Sequence, residues 1–503
     1  MESENPKIKP MAVSQNRERL IVGGLCFFAA LHVFIYSAAF PFFTNVDEPS
    51  HLGTILKFAH GEIPRTFDGF SAETIRCLAL YNSSFYVGPA TNTDSLLSLT
   101  QNLAATGSGS ALAVPPPKYN GTNYQNSQPP VYYAVEGACW KIGEQLGIDE
   151  GHRLYCLRFV NIPIVALVVW LGWLAAKNLF PDQPFHRLAV PALIAVMPQS
   201  AFYSLESDTF SPLFFGAAFL LLLRLDQAEV PSPWLGAAAG LALAGTFLVK
   251  VNNAPPLLIT AVWVMLWIWR RWRAGKLRPA LPSLMSLGAC AIVPVAAWSI
   301  WCRHTFGDFT GTRLKAEYWT WTPKPFAEWW SHPLFSLYGV RKFFALFLSQ
   351  FWQGEFTRHC QPMALRVPSW IYALATVGLL ALALLKLVRR PALLTALQRR
   401  TLWFGIFAFA SCAAFLMYIC VAFNFNHSPV PTPQFPFLTC GRFALSALIP
   451  FMLLLATGLD EALGRTATRN KFLVLAAILA CMLGTEAATN WPAFGDQHNW
   501  FHL

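Results

Sequence analysis

The chain has 503 residues, of which 55% are hydrophobic, 15% aromatic and only 13% charged, with a mean hydropathy of +0.41. Soluble domains carry roughly 25% charged residues, so the composition excludes an ordinary soluble fold and points to an all-α polytopic membrane protein. The net charge of +11 gives no reason to expect a nucleic acid partner, because the basic residues cluster in short stretches between apolar spans.

Eleven apolar spans are expected, at 20–40, 155–176, 188–205, 209–223, 234–249, 255–269, 281–301, 368–385, 401–423, 442–459 and 472–489. The first is too long for a signal-peptide core and reads as a retained helix. With a cytoplasmic N-terminus, the six inside segments hold 20 of the 37 Lys and Arg in only 78 residues. Arg270–Arg278 and Leu387–Arg400 fix that orientation. Val131–Gly147 carries Glu136, Lys141 and Glu144, and is expected to lie on the outer surface as an amphipathic helix. Two long segments, 41–154 and 302–367, are then external to a single transmembrane domain spanning 1–503. Residues 71–128 contain TGSGS and PPP and read as exposed loop. Five of the eleven cysteines (Cys77, Cys139, Cys302, Cys360 and Cys440) fall outside, where at most one or two disulfides are expected.

The same orientation gathers ionisable groups at the outer surface, and charges at one face of a bundle suggest a site there. Asn45–Pro64 follows the first span and carries Asp47, Glu48 and His51, with Pro49 suited to the first turn of a helix. The plain reading is a helix cap with acids at its positive end. Gln128–Tyr133, QPPVYY, has two prolines that fix an extended entry into the surface helix, and includes Gln128 and Tyr132. Pro198–Phe210 carries Glu206 and Asp208, either of them a helix cap or part of a site. Lys250, followed by Val-Asn-Asn, is a snorkelling lysine or a phosphate ligand. Arg442, in CGRF, stands against the charge bias and needs an acid partner or an anionic ligand, for which guanidinium is the best side chain. The second external segment mixes Trp319, Trp321, Trp329, Trp330 and Trp352 with Arg313, Lys315, Arg341, Lys342, Arg358 and His359, which suits first a lipid-headgroup interface and second a groove for a sugar and a lipid phosphate. No P-loop, HExxH or GxSxG is present.

The pattern D-E-x-x-H-x-G-x-x-x-K-F at 47–58, followed by QPPVYY, the acidic second outer loop and the late GRF, resembles the GT-C glycosyltransferases, notably the protein O-mannosyltransferases and their bacterial relatives. Leu445 stands where such relatives have a first proline, and Glu206 has no counterpart. The resemblance implies a GT-C-like bundle of about 11 transmembrane helices with external loops and amphipathic surface helices, in a bacterial inner membrane with its site on the periplasmic face. It implies a polyprenyl-phosphate sugar donor, a glycan, lipid or protein acceptor, contact with membrane lipids, and inverting transfer. Asp47 would be the base, with Glu48 or Asp208 orienting the acceptor. Arg442, with Lys250 second, would hold the phosphate, and His51, Gln128 and Tyr132 would complete the binding set. No cofactor is required by the pattern, although the acid pairs leave a divalent cation open. A lipid-sugar flippase or secondary transporter is the rival from another class, and an O-antigen-type polymerase or ligase a third reading.

Overall fold

In a computed structural model of the chain, residues 15–44, 47–80, 122–358, 361–426 and 431–502 are described. The TGSGS and PPP stretches, His359 and Cys360 lie outside them. The helices are α1 Gln15–Ala39, α2 Glu48–Ala59, α3 Ala72–Leu80, α4 Pro130–Gln145, α5 Glu150–Phe159, α6 Asn161–Leu179, α7 Pro184–Ala195, α8 Ser211–Gln227 and α9 Pro233–Val249. They continue with α10 Ala254–Arg273, α11 Leu281–Phe306, α12 Thr312–Tyr318, α13 Leu337–Gln353, α14 Arg366–Arg389, α15 Ala396–Ala422, α16 Leu448–Leu463 and α17 Thr468–Phe494. Among the described residues, nine helical segments are long and apolar enough to cross a membrane, and the protein is a predominantly helical, multi-pass membrane protein with only short strand pairs.

These nine coincide with nine of the eleven expected spans. The other two differ. α9 has 17 residues, and its Gly236 and Gly240 pack against the Ser283 and Leu287 carbonyls of α11 with no room for a Cβ. Such close approach is how small residues join helices in membranes. The expected span 188–205 is not one helix. α7 stops at Ala195 after 12 residues, roughly 18 Å of rise against a hydrocarbon core of about 30 Å. Pro198 cannot continue it, and residues 196–210 run as irregular backbone with two short 3₁₀ turns, Ser200–Tyr203 and Ser207–Phe210. Every residue of that stretch is buried. Irregular backbone at membrane depth persists only where protein or a cavity surrounds it.

α16 is the axis of the bundle. Its residues Leu448–Leu459 are all buried, as expected of a helix apolar on every side. Phe451 stacks on Phe409 of α15 at 4.1 Å and meets Phe351 of α13 edge-on at 5.0 Å. A seven-residue 3₁₀ turn, Gly441–Ala447, leads into α16. Runs of that length are uncommon and often mark a functional segment. Elsewhere, His32 of α1 bonds Glu486 of α17 at 2.7 Å, and Tyr203 donates to the same carboxylate at 2.6 Å.

α4 is a helix, as expected of 131–147. Tyr132, Tyr133, Glu136 and Trp140 line its buried face toward α2, and Lys141 and Glu144 pair on its exposed side. Not all of the aromatic residues of 302–367 suit a headgroup layer. Trp352 is buried and donates to Thr376 Oγ1 at 2.9 Å, while Trp330 is exposed. Cys77, Cys139, Cys302 and Cys440 are free thiols.

Candidate functional site

Three irregular pieces of chain meet at the head of α16: the stretch 196–210, the Gly441–Ala447 turn and the C-terminal end of α13. Gln199 Nε2 donates to the Phe351 carbonyl at 2.6 Å, and Glu355 N donates to Ser200 Oγ at 2.9 Å. Gly441 abuts the Phe351 backbone, where a Cβ would fall 2.1 Å from nitrogen. Gly354 is left-handed at φ 76° and lies against Ser200, so only glycine allows the chain to place Glu355 there.

The docking aims four carboxylates at one guanidinium. Arg442 Nη1 contacts Glu206 at 2.9 Å and Glu355 at 2.7 Å, Nε lies 3.3 Å from Asp208, and Nη2 bonds Asp47. Lys250 Nζ bonds Asp208 and lies 4.8 Å from the Phe443 ring centre. Asp47, Asp208, Lys250 and Arg442, singled out from distant stretches of sequence, are therefore in one cluster. Asp47 stands at the N-cap of α2, but its side chain makes no capping bond. Its Oδ1 instead accepts from Tyr124 OH at 2.6 Å.

Glu48 is turned away from this cluster. Arg158 of α5 grips its carboxylate at 2.7, 2.9 and 3.0 Å, Leu205 N donates to it at 2.9 Å, and both side chains are wholly buried. His51 is buried beside the cluster, its Nδ1 2.9 Å from Tyr133 OH and its Nε2 without a hydrogen-bond partner. Tyr132 meets the His51 ring edge-on at 5.8 Å. Gln128 is buried with its side-chain oxygen unpartnered.

Three participants were not singled out from sequence as site residues: Glu355, Tyr124 and Arg158; Lys315 stood there only among the aromatic and basic residues of 302–367. Glu206 was noticed there without a role. Tyr124 belongs to a segment pinned on α2. Asn123 Nδ2 donates to the Ser50 carbonyl at 2.9 Å, and Asn126 Nδ2 to Asp68 at 2.6 Å. The run of amides before QPPVYY was the available signal. For Glu355 it was a lone acid after a glycine.

Burial shapes the electrostatics. It would raise the Asp47 pKa, but the Arg442 charge, then Lys315 and the Tyr124 hydrogen bond, hold it well below the usual carboxylate range. Burial pushes Glu206 well up despite Arg442, with Asp208 and Asp47 adding repulsion. Glu355 is raised by burial in the same way. Burial lowers His51, favouring neutral imidazole, and brings Lys315 down to about 8 with Asp47 opposing. Among the described residues no group of three His, Cys, Asp or Glu is arranged to hold a metal ion. The space between the four carboxylates is filled by the guanidinium.

No curated protein matches the chain. The crystal structure of ArnT from Cupriavidus metallidurans bound to undecaprenyl phosphate is similar over 93% of this chain and 64% of that one, at 14% identity and a TM-score of 0.47. This chain thus spans somewhat less than two thirds of that protein's length. A family model described as "Predicted membrane protein (DUF2142)" matches residues 26–430, so the chain belongs to that family.

Proposed function

We propose that this protein is a GT-C-type membrane glycosyltransferase that moves a sugar from a polyprenyl-phosphate donor to an acceptor hydroxyl at the outer face of the membrane. The observation that carries this reading is the convergence of Asp47, Glu206, Asp208, Lys250 and Arg442 on one buried point at the head of the central helix. Arg442 and Lys250 place two cations there, and burial raises the pKa of Glu206 and Glu355, which lessens the opposing charge. Such a site suits an anionic phosphate, and the local resemblance to GT-C motifs supplies the sugar. In this reading Asp47 takes the acceptor's hydroxyl proton as that oxygen attacks the anomeric carbon. The bond from that carbon to the phosphate oxygen breaks, the electron pair leaves on the phosphate, and configuration inverts. Arg442 and Lys250 stabilise the charge that grows there. His51 presents Nε2 to bound substrate, while Gln128 and Tyr132 shape the wall. Glu48, bound to Arg158, holds the site together and is not assigned to the acceptor.

Purified protein in lipid nanodiscs should release polyprenyl phosphate from a polyprenyl-phosphate sugar when acceptor is present and no ion gradient exists, and Asp47→Asn should not. Transport of the lipid-sugar without bond cleavage would replace this reading with the flippase.

A further inference from the structure

α12 and the strand after it form a strap laid over Tyr124. Gly307 and Gly311, at φ 84° and 68°, turn the chain into α12, and Thr320, at φ 55°, turns it out. Among the described residues only Thr320 and Phe43 are non-glycine residues with positive φ. Phe43 lies four residues before Asp47, and Thr320 follows the strap's aromatic pair. A β-branched residue in that region is strained and persists only where its surroundings over-determine it. The surroundings are visible here. Trp321–Pro323 pairs antiparallel with Phe423–Phe425, and Trp321 packs edge-on against Phe425 at 5.2 Å.

The strap has two faces. Arg313 and Glu317 pair with each other on the exposed one at 2.8 Å. On the other, Tyr318 stacks on Tyr124 at 5.6 Å and 23°, and Trp319 meets the same ring at 5.1 Å and 61°. Tyr124 is buried and bonded to Asp47, whereas Tyr318 and Trp319 remain half-buried. Lys315 lies 5.0 Å from the Tyr124 ring centre and donates to Gln125 Oε1 at 3.5 Å. Among the described residues no carboxylate lies within ion-pair distance of it. An ammonium carries three donors, so this one is poorly satisfied where it sits.

We propose that Tyr318, Trp319, Tyr124 and Lys315 form a subsite for a pyranose ring held against Asp47. A pyranose offers an apolar face of C–H groups and a rim of hydroxyls. The first needs a flat aromatic wall and the second a few fixed donors and acceptors. Tyr318 and Trp319 supply the wall, Lys315 and Gln125 reach the rim, and Asp47 stands at its edge. A lipid chain would use the wall but would leave the Lys315 ammonium unserved. The subsite rests on the glycosyltransferase reading, and the ring belongs either to the donor sugar or to a sugar acceptor.

The test measures binding to the full-length protein in nanodiscs with three probes. They are bare undecaprenyl phosphate, a panel of undecaprenyl-phosphate hexoses and pentoses, and free methyl pyranosides followed by saturation-transfer NMR. Trp319→Ala should weaken the sugar-bearing lipids about tenfold and leave bare undecaprenyl phosphate unchanged, and Lys315→Met should weaken the sugar-bearing lipids more than it weakens bare undecaprenyl phosphate. Trp319→Phe should recover most of that loss, which separates stacking from misfolding. Loss of methyl pyranoside contacts alone would assign the ring to the acceptor and still support the subsite. Equal binding of every sugar probe by wild type and Trp319→Ala would overturn it. So would wild-type protein that binds no sugar form beyond bare undecaprenyl phosphate. Wild-type protein that binds no polyprenyl phosphate in any form would instead sink the glycosyltransferase reading, and the methyl pyranosides would still judge the subsite.

Discussion

Arg158→Met tests whether Glu48 is a structural acid. Arg158 uses its whole guanidinium. Nε and Nη2 hold Glu48, Nη1 donates to the Phe40 carbonyl at 2.6 Å and Ser37 at 3.3 Å, and Nη2 reaches Pro41 at 3.0 Å. The Phe42 ring lies 3.9 Å away. The pair thereby joins the end of α1, the start of α2, α5 and, through Leu205 N, the irregular stretch before Glu206. Removing the arginine leaves an uncompensated carboxylate with no access to water, at a cost of about 3–5 kcal/mol. For a chain of this size that is an apparent Tm lower by about 3–5 °C, read as loss of monodisperse protein after heating in detergent. Glu48→Gln strands the opposite charge and should cost a similar amount. The double variant Glu48→Gln/Arg158→Met should fall well short of the sum, because neither charge is then left alone. The reasoning fails if Glu48→Gln keeps its wild-type Tm while turnover drops a hundredfold, since Glu48 would then be acting on substrate.

Other consequences are as direct. Asp47→Asn keeps shape while removing the proton acceptor, so turnover should fall about 10²-fold or more with donor affinity little changed; near-wild-type turnover would reassign the base. Tyr124→Phe removes a donor from Asp47 Oδ1 and should lower kcat by several-fold while moving the acidic limb of the pH–rate profile upward; a change in KM alone would make Tyr124 only a wall. Lys315, brought down to about 8, is charged at neutral pH, so sugar binding should weaken as pH rises through about 8, and Lys315→Arg should move that limb higher. The stability sign is opposite. The cost of burying the ammonium is present below about 8 and is relieved as pH climbs toward the ordinary lysine value near 10.4, so Tm should rise slightly across that window.

Nine spans, the helix at 130–145 and most of the cluster were legible because their signals are local. Twenty apolar residues make a span wherever they occur, and an arginine at the end of an apolar span announces a partner. The partners of Arg442 were less accessible. Glu355 reaches it through the fit of Gly354 against Ser200, a contact between residues 154 positions apart that no periodicity encodes. The division of labour between Asp47 and Glu48 was also hidden. Adjacent residues face different ways, but only the position of Arg158, on a helix 110 positions later, shows which acid is sealed away. The stretch 188–205 misled because hydropathy does not separate a spanning helix from a short helix followed by buried irregular chain. Pro198 and three serines within a few residues were the hint.

Arg442 links base and leaving group, which gives the proposed reaction an order. The guanidinium that bonds Asp47 holds its pKa below the usual carboxylate range. Efficient general bases have a pKa near the operating pH. Arg442 is shared by Asp47, Glu206, Asp208 and Glu355, so four carboxylates compete for one positive charge. A donor phosphate arriving at Arg442 and Lys250 offers bidentate geometry, and Asp47 is the least enclosed of the residues buried around that guanidinium apart from Glu355. Transfer of Arg442 from Asp47 to the phosphate would free the carboxylate and raise its basicity at the moment the leaving group is secured. Donor should therefore bind before acceptor becomes productive, and initial-rate patterns should be sequential with donor first. Arg442→Lys keeps the charge but loses the fork, so donor KM should rise, and the folded state should survive. A random order of addition with unchanged donor KM in Arg442→Lys would break the link between phosphate binding and the release of Asp47. Equal unfolding of Arg442→Lys and Arg442→Gln would show that the arginine serves only to neutralise its ring of acids.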